Sequence, residues 1–459
     1  MTCRLFILVY ILFIGFQSFS ALQLVNEITI SGNKKTKDFV ILREMLVQVG
    51  KEYPENGPEN IHDLILKSEQ RILNLNLFNE VSIALNDTPS TGCRLHVTVI
   101  EKWYVWPIPF VEFSDRNFNV WGNFKFDPDR TNYGLYVFNY NLFGRNHTLK
   151  TRLKTGYNTM IAVEYRIPFI SKHTQWGINT SIAHSSQNEV WYETRNDSLQ
   201  FYKNGRKNLI TETKSYVELT KRLNPFTRIY YGITYEQGQL DTSVPVNDYF
   251  VNNLRHQRTY SAYMKLENDT RDNIFYPTNG RYLALKAGAN AWQNNTLEPN
   301  IFVSAKAQIF NHLTPKLSSA LAMHTELNSN TNAPYSDRQM LGYDELVRGF
   351  EHYVIDGTRG LKINTAVRYL VIEKNIKLPF IPIQNYKRLP LQVYLEAYSE
   401  GAYSQLSNAP PSNQLNNGLI YSTGFGINTL FYNDRLLRLE YSLNSLQEGG
   451  FFVHFKKAI

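Results

Sequence analysis

The residues Leu346-Val347-Arg348-Gly349-Phe350 place a single cation between apolar side chains, inside a long and otherwise polar segment. A guanidinium that leaves water keeps its charge, so a buried Arg348 needs a carboxylate, preferably one that accepts two parallel N–H bonds. This spacing therefore predicts an ion pair in the protein interior. The alternative is that Arg348 stays solvated in a flexible loop.

Two glutamates further along the chain are candidate partners for this arginine. The segment Gln392 to Gly401 alternates apolar and polar residues as a strand does, which places Glu396 and Glu400 on one face, four residues apart. Either carboxylate is therefore a candidate partner for Arg348. If the arginine is solvated instead, both glutamates only line a wet pore.

Patterns for catalysis and metal binding are weak. The sequence contains no G-x-S-x-G and no H-E-x-x-H, and its ten histidines are scattered without ligand spacing. Beyond Cys3 the chain has only Cys93, which excludes an internal disulfide and a cysteine metal site. We expect no catalytic residues, no cofactor and no metal ion, and we interpret His454 as a polar lining residue, although a lone Ser–His pair escapes a motif search.

Composition and the N-terminus indicate an exported, β-rich protein. The chain has 30 Tyr and 27 Phe among 459 residues and a negative mean hydropathy. Its net charge of +8 comes from dispersed lysines and arginines, so a nucleic-acid partner is not expected. A short apolar run, Leu5 to Phe16, followed by small residues up to Ala21 predicts a signal peptide over residues 1–21.

Residues 22–102 have the pattern of a small α+β domain. A first strand is predicted over Leu24 to Ile30, where apolar and polar residues alternate. Two helices are expected, near Lys37 to Val47 and from Asn60 through Leu77. Two more strands are predicted over Asn79 to Leu85 and Cys93 to Val99. The stretches GNKKT, LNLFNEVSI and LHVTVIEKW resemble the landmarks of a polypeptide-transport-associated (POTRA) domain, which has this β-α-α-β-β order. The resemblance implies a sheet edge that could accept a strand from a partner or client.

Residues 103–459 are predicted to form a transmembrane antiparallel β-barrel of about sixteen strands. Alternating segments are separated by connections that switch between short turns and long polar loops. The period of two divides the side chains between a lipid-facing and a lumenal face. The predicted outward residues of one strand are Leu361, Ile363, Val367, Tyr369 and Val371, and its lumenal residues are Lys362, Asn364 and Arg368. In another, Arg438 and Glu440 are expected in the lumen.

The end of the chain resembles the closing-strand signal of bacterial outer-membrane barrels. Its glycine and alternating apolar residues are Gly450, Phe451, Val453 and Phe455. The sequence departs from that signal because four residues, Lys456 to Ile459, follow the last aromatic.

The VRGF residues, the DGTRG stretch at Asp356 to Gly360 and the preceding landmarks together resemble the BamA/TamA superfamily, the bacterial surface antigen family. The strand count places VRGF in the sixth outer loop, where the superfamily carries it. The resemblance implies that the loop arginine pairs with an acidic residue on the barrel wall, for which Glu400 is the expected partner of Arg348 and Glu396 the alternative. The resemblance implies insertion or translocation of unfolded protein clients at the bacterial outer membrane, with the POTRA domain in the periplasm, where it could bind a partner.

Because there is room for one POTRA domain, we expect an accessory assembly factor or transporter rather than the central assembly protein, and the closing segment resembles Bacteroidetes members. A passive outer-membrane channel or surface structural protein is the alternative; a barrel enzyme ranks third.

Overall fold

The computed structural model describes residues 22–56, 60–88, 92–113, 121–122, 125–245, 248–293, 299–379, 388–432 and 435–457. The predicted signal peptide lies outside the described residues. The chain forms two compact units, the first ending at Glu101 and the second beginning at Lys102. In the described ranges, no helix has the length and apolar character needed to cross a membrane.

The first unit is a four-stranded sheet with two helices. Its elements are β1 (Leu22–Ser31), α1 (Asp38–Leu42), β2 (Glu52–Pro54), α2 (Ile61–Asn74), β3 (Phe78–Thr88) and β4 (Gly92–Glu101). The strand order is β2-β1-β4-β3, in which β1 and β4 are parallel and the other pairs antiparallel. The strand β2, which returns beside β1 between the helices, was absent from the predicted β-α-α-β-β order.

The two helices differ in how well the sequence predicts them. Helix α2 begins behind Asn60, whose side chain accepts the N–H of Asp63, and it turns Ile61, Ile65 and Ile72 into the core. The prediction for α1 was wrong in length, since it ends at Leu42 instead of Val47. The reason is tertiary: the N–H of Leu46 donates to Ser68 Oγ at 2.9 Å, and the carbonyl of Glu44 accepts from Arg71 Nε. These contacts replace a further helical turn.

The second unit is the predicted sixteen-stranded antiparallel sheet. Its strands are β5 (Val105–Phe113), β6 (Thr131–Leu142), β7 (His147–Gly156), β8 (Asn158–Ile167), β9 (Trp176–Gln187), β12 (Ile210–Arg222), β13 (Thr227–Leu240), β14 (His256–Asp269), β15 (Gly280–Trp292), β16 (Pro299–His312), β17 (Leu317–Asn328), β20 (Arg359–Lys377), β21 (Arg388–Gln405), β22 (Leu419–Phe431), β23 (Arg435–Asn444) and β24 (Gly449–Lys457). Each pairs with the next, as in an up-and-down barrel.

The period of two sorts the barrel side chains as the sequence predicts. On β20, Leu361, Ile363 and Val367 lie outside, each about two-fifths exposed. On β21, Leu395 is half exposed while the adjacent Glu396 is buried. An apolar exterior around a polar interior is the arrangement that a lipid surface selects.

The longest connections between the barrel strands all lie at one end of the barrel, because each is separated from the next by an even number of strands. They include the third loop (residues 188–209), the sixth loop (329–358) and the seventh loop (406–418). Strand β21 runs past the predicted end at Gly401 to Gln405. Residues 270–279 connect β14 to β15.

Two of the long loops contain strands of their own. The third loop holds a hairpin of β10 (Val190–Arg195) and β11 (Ser198–Tyr202), and the sixth loop holds a short ladder of β18 (Gln339–Leu341) and β19 (Ile355–Asp356). The hairpin packs into a buried cluster that includes Val190, Leu209, Tyr249, Phe250 and Tyr335. This loop core was not predicted from the sequence, because its apolar residues come from loops that are far apart along the chain.

Candidate functional site

The sixth loop folds back so that its VRGF residues are buried. Val347 and Phe350 are 1% and 2% exposed. They belong to an apolar cluster completed by residues of the loop itself and of β21, β22 and the seventh loop: Leu341, Ile355, Ala402, Leu415 and Ile420. The two apolar side chains on either side of Arg348 thus hold the loop against neighbouring strands and carry the arginine with them.

Gly349 lies where only a glycine fits without strain. Its φ is +82°, and a Cβ atom there would lie 3.3–3.4 Å from the Cβ atoms of Ser422, Ser442 and Asn444. The side chain of Asn444 donates to the Gly349 carbonyl at 2.8 Å. This glycine allows the loop backbone to approach β22 and β23 closely.

Arg348 is bound by both predicted glutamates at once. Its Nε donates to Glu400 Oε1 at 2.6 Å, and its Nη1 donates to Glu396 Oε1 at 2.7 Å. Its backbone N–H also donates to Glu400 Oε2, at 3.0 Å. The two glutamates were predicted as alternative partners, whereas strand alternation on β21 places both carboxylates within reach of one guanidinium.

Residues on adjacent strands complete the site. The Arg348 guanidinium lies over the Tyr398 ring, 3.4 Å from its centroid, and Tyr398 hydrogen-bonds Ser442. Glu440 on β23 brings a third carboxylate, with Oε2 3.6 Å from Arg348 Nη1. The guanidinium is therefore surrounded by groups that favour its charge.

The carboxylates have further cationic and polar partners. Arg368 Nε donates to Glu396 Oε2 at 2.7 Å, while its Nη1 donates to the Pro277 carbonyl. Glu400 accepts from Asn364 and lies 3.8 Å from Lys362 Nζ. Desolvating a lone charge costs several kcal/mol, and this network offsets that cost with several charge-assisted hydrogen bonds. We name Arg348, Glu396, Glu400, Tyr398 and Arg368 the arginine network.

Alternation predicted that Lys362, Asn364, Arg368 and Glu440 face the lumen, but their contacts with Arg348, Glu396 and Glu400 were not predicted. Their distance along the chain hides the contact: Arg348 and Glu440 are ninety-two positions apart (440 − 348). Tyr398 was missed altogether. It stands midway between the two glutamates on the same face, and an aromatic residue at that position was the available signal.

The long loops are also bound to one another above the arginine network. In the hairpin turn of the third loop, the Asp197 carboxylate accepts the backbone N–H groups of Gln414 and Leu415, at 3.0 and 3.2 Å. The N–H of Val354 in the sixth loop donates to the Asp197 carbonyl at 2.9 Å. Burial raises the pKa of Asp197 above its ordinary value. One residue thus joins the third, sixth and seventh loops.

A second buried aspartate, Asp356 in the sixth loop, ties this loop to the third loop. Asp356 Oδ1 accepts from Tyr343 Oη at 2.7 Å and from Thr194 Oγ1 at 3.1 Å. Burial raises the pKa of Asp356. We refer to the loops joined through Asp197 and Asp356 as the loop cap.

Comparison with known families identifies this architecture. The model of the Omp85 superfamily domain matches residues 141–430, which is more than half of the chain. The chain belongs to the Omp85 superfamily. A POTRA model, described as the surface antigen variable number repeat, matches residues 23–102. These matches confirm the predicted BamA/TamA-type barrel with a POTRA domain. No curated protein matches the sequence significantly.

Solved structures with the same fold are distant in sequence from this Omp85 protein. BamA from Haemophilus ducreyi lacking POTRA domains 1–3 is 12% identical with a TM-score of 0.51, over 94% of this chain and 83% of that one. CdiB from Acinetobacter baumannii is 13% identical with a TM-score of 0.52, over 95% and 73%. CdiB from Escherichia coli is 12% identical with a TM-score of 0.54, over 94% and 75%.

Membership in the superfamily assigns this Omp85 protein to the bacterial outer membrane, with its POTRA domain in the periplasm. It functions in the insertion or translocation of proteins at that membrane, and its clients are proteins. Superfamily members are transporters or insertases rather than enzymes.

The four residues of the predicted barrel-closing signal lie on β24, the last strand of this Omp85 protein. Phe451, Val453 and Phe455 point outward and are 81%, 49% and 63% exposed, and Gly450 precedes them. Strand β24 continues to Lys457, so the first part of the extra tail extends the strand. Ala458 and Ile459 lie outside the described residues.

Proposed function

We propose that this Omp85 protein inserts protein clients into the outer membrane at the seam between β5 and β24, while the arginine network holds the sixth loop as a fixed internal support. The observation that carries the proposal is the double engagement of Arg348 by Glu396 and Glu400. A loop held by a buried, fully partnered charge resists displacement by a passing chain.

Occupation of the lumen supports insertion over passage through the barrel. The VRGF residues pack against β21 and β22, and the cavity beside them has a volume of about 280 Å³. The loop cap covers the outer end with hydrogen bonds between the third, sixth and seventh loops. A passive channel, which is the alternative function, would need this space open.

The ends of the ladder support the seam as the working site. In the described residues, β5 pairs with β6 and β24 pairs with β23, and no ladder joins β5 to β24. Strand β5 carries Pro107 and Pro109, two residues apart and therefore on one side of the strand. Proline has no N–H and is tolerated on edge strands where that side is unpaired. Such an edge offers fewer hydrogen bonds to hold the barrel closed and can exchange partners with a client strand.

The partners follow from this mechanism. Clients are unfolded outer-membrane or exported proteins, and lipid surrounds the apolar outer face. A periplasmic partner could add a strand to β3 at the edge of the POTRA sheet, although the Glu69 carboxylate already accepts the Ile83 N–H there, at 2.6 Å. Strand exchange requires neither a cofactor nor a catalytic residue, so we expect no enzymatic activity.

Site-specific crosslinking tests the seam. A photoreactive residue is placed at Val453 on β24, or at Leu283 on β15, which also faces outward but lies far along the sheet. The protein is reconstituted in liposomes and given a nascent barrel client. We expect client adducts from position 453 and none from position 283. Equal labelling at both positions, or adducts only from lumenal positions, would contradict insertion at the seam.

A further inference from the structure

A second cluster lies beside the arginine network and has no part in the function proposed above. It joins the sixth loop to the last two strands through Glu351, Glu440 and His454, each of which offers a donor atom within 4.8 Å of the others. His454 Nε2 lies 3.1 Å from Glu440 Oε1 and 3.5 Å from Glu351 Oε1. Glu351 is fully buried, and the Glu440 side chain is 1% exposed.

The carboxylate of Glu440 lacks hydrogen-bond donors although it is buried. Among the described residues, neither of its oxygens accepts a hydrogen bond, and Nε2 of His454 donates none. The histidine and Glu440 Oε1 are close enough to bond, but the ring N–H axis does not point at the oxygen. Burying a carboxylate without hydrogen-bond donors costs free energy. The unbonded oxygens of Glu440 therefore point to a bound ligand.

The spacing fits ligands of one metal ion. Donor atoms bonded to a tetrahedral zinc at about 2.1 Å lie about 3.4 Å from one another. The two distances from His454 Nε2, 3.1 and 3.5 Å, bracket that separation. The lone pair of a ligating nitrogen points at the metal ion, so the other ligands of that ion lie to the side of this axis. Glu440 Oε1 lies to the side of the His454 Nε2 axis in this way.

Neighbouring positive charges leave Glu440 Oε1 accessible. The guanidinium groups of Arg348 and Arg438 approach Glu440 on its other oxygen, Oε2, at 3.6 and 3.9 Å. Both distances exceed a hydrogen bond. Glu351 and His454 line the cavity of about 280 Å³, which leaves room for a water as a fourth ligand.

We propose that Glu351, Glu440 and His454 bind a first-row divalent metal ion, with Zn²⁺ as the test ion. Two carboxylates and one imidazole form a mixed oxygen and nitrogen set, which suits Zn²⁺ and its neighbours better than Ca²⁺ or Mg²⁺. The ion joins Glu351 of the sixth loop to β23 and β24, three residues beyond Arg348. It thus adds a second attachment of the loop, on the strand that closes the barrel.

Metal binding to the purified, detergent-solubilised and chelator-stripped full chain tests the site. Zn²⁺ is titrated against a chromogenic chelator, and Co²⁺ is added separately because its visible absorption reports a tetrahedral site. We expect one Zn²⁺ per chain. We expect His454→Gln and Glu440→Gln each to weaken Zn²⁺ binding about 100-fold or more, since removing a residue that only orients a metal ligand already weakens binding about 10- to 100-fold.

His324→Gln is the matched control, because His324 also faces a lumenal glutamate, Glu345, at 3.2 Å. It should bind Zn²⁺ as the wild type does. Heat modifiability on gels checks folding, and if Glu440→Gln does not fold, His454→Gln and the chelator titration of the wild type still decide. Zn²⁺ binding that is absent in the wild type, or equal in His454→Gln and wild type, overturns the proposal. The proposal is also overturned if acidic pH stabilises the protein and Zn²⁺ does not, because a protonated His454 would then bridge the two carboxylates.

Discussion

Arg348 donates to Glu400 twice, through its side-chain Nε at 2.6 Å and through its own backbone N–H at 3.0 Å. The carboxylate therefore fixes the path of the loop backbone as well as the direction of the guanidinium. Removing Glu400 releases both, whereas removing the arginine side chain releases only one. The two partners of this ion pair are not equivalent.

The first prediction concerns this ion pair. Arg348→Ala and Glu400→Ala should each lower the free energy of unfolding by about 3–5 kcal/mol, because each removes a main ionic partner from a buried charge. The double variant should lose little more than either single one. Urea unfolding in detergent micelles, with the protease sensitivity of the sixth loop, measures the cycle. The exposed pair Lys214 and Glu236 is the control and should cost under about 1 kcal/mol. Strictly additive losses at Arg348 and Glu400 would mean that the two residues act separately.

The second prediction concerns the glycine next to the arginine. Gly349→Ala should destabilise the docked loop by about 1–2 kcal/mol, because alanine is strained at a φ of +82° and its Cβ meets three strand side chains. Gly401→Ala is the matched control, since its added Cβ finds its nearest atom at 3.9 Å. Limited proteolysis of the sixth loop compares the two. Equal protection of the sixth loop from protease in both variants would show that the left-handed conformation of Gly349 does not contribute to docking of the loop.

The third prediction separates recognition from stability at the closing strand. Phe455→Asp should reduce assembly into the outer membrane strongly while lowering stability by at most about 1 kcal/mol, because a charge near the bilayer edge costs little. Leu437 pairs with Phe455 across β23 and β24, so Leu437→Asp places the same charge at the same depth outside the signal. Quantitative surface labelling should show normal assembly of this control. Equal defects in both variants would assign the effect to the charge itself.

The fourth prediction concerns pH and the loop cap. The pKa of Asp356 is raised by burial above its ordinary value of 3.8, so folding favours its protonated form. Its stabilising contribution is full below about pH 4 and is lost as pH rises through the raised pKa. Asp356→Asn keeps the oxygen that accepts from Thr194 and Tyr343 but cannot ionise. The variant should therefore be less pH-dependent and more stable at pH 7.

Trp191, whose ring lies 6.5 Å from that of Tyr343, reports on this part of the cap by fluorescence during urea unfolding. Unfolding midpoints at pH 4 and pH 7 are compared between wild type and Asp356→Asn. Asp356→Ala is the control that loses the acceptor and should be destabilised at both pH values. Identical pH dependence in wild type and Asp356→Asn would contradict the prediction.

How far the sequence predicts this molecule depends on the range of the interactions involved. The barrel strands are predictable because lipid and lumen select side chains at a strict period of two, as Leu361 and Lys362 illustrate. The same period places Glu396 and Glu400 in the lumen, whereas their pairing with Arg348 was implied by the family resemblance. By contrast, α1 ends early because Ser68, far along the chain, binds Leu46. The hairpin of the third loop packs on residues of other loops, and its short strands carry no periodic signal.

The order of synthesis gives the arginine network a consequence for biogenesis. The partners of Arg348 follow it by 48, 52 and 92 positions (396 − 348, 400 − 348 and 440 − 348), on β21 and β23. The loop therefore cannot dock until the C-terminal strands have paired, and contacts of such long sequence separation form late. A docked sixth loop therefore indicates that the C-terminal strands of the barrel have assembled. A chain truncated before β21 lacks the partners of Arg348, and its sixth loop would not dock.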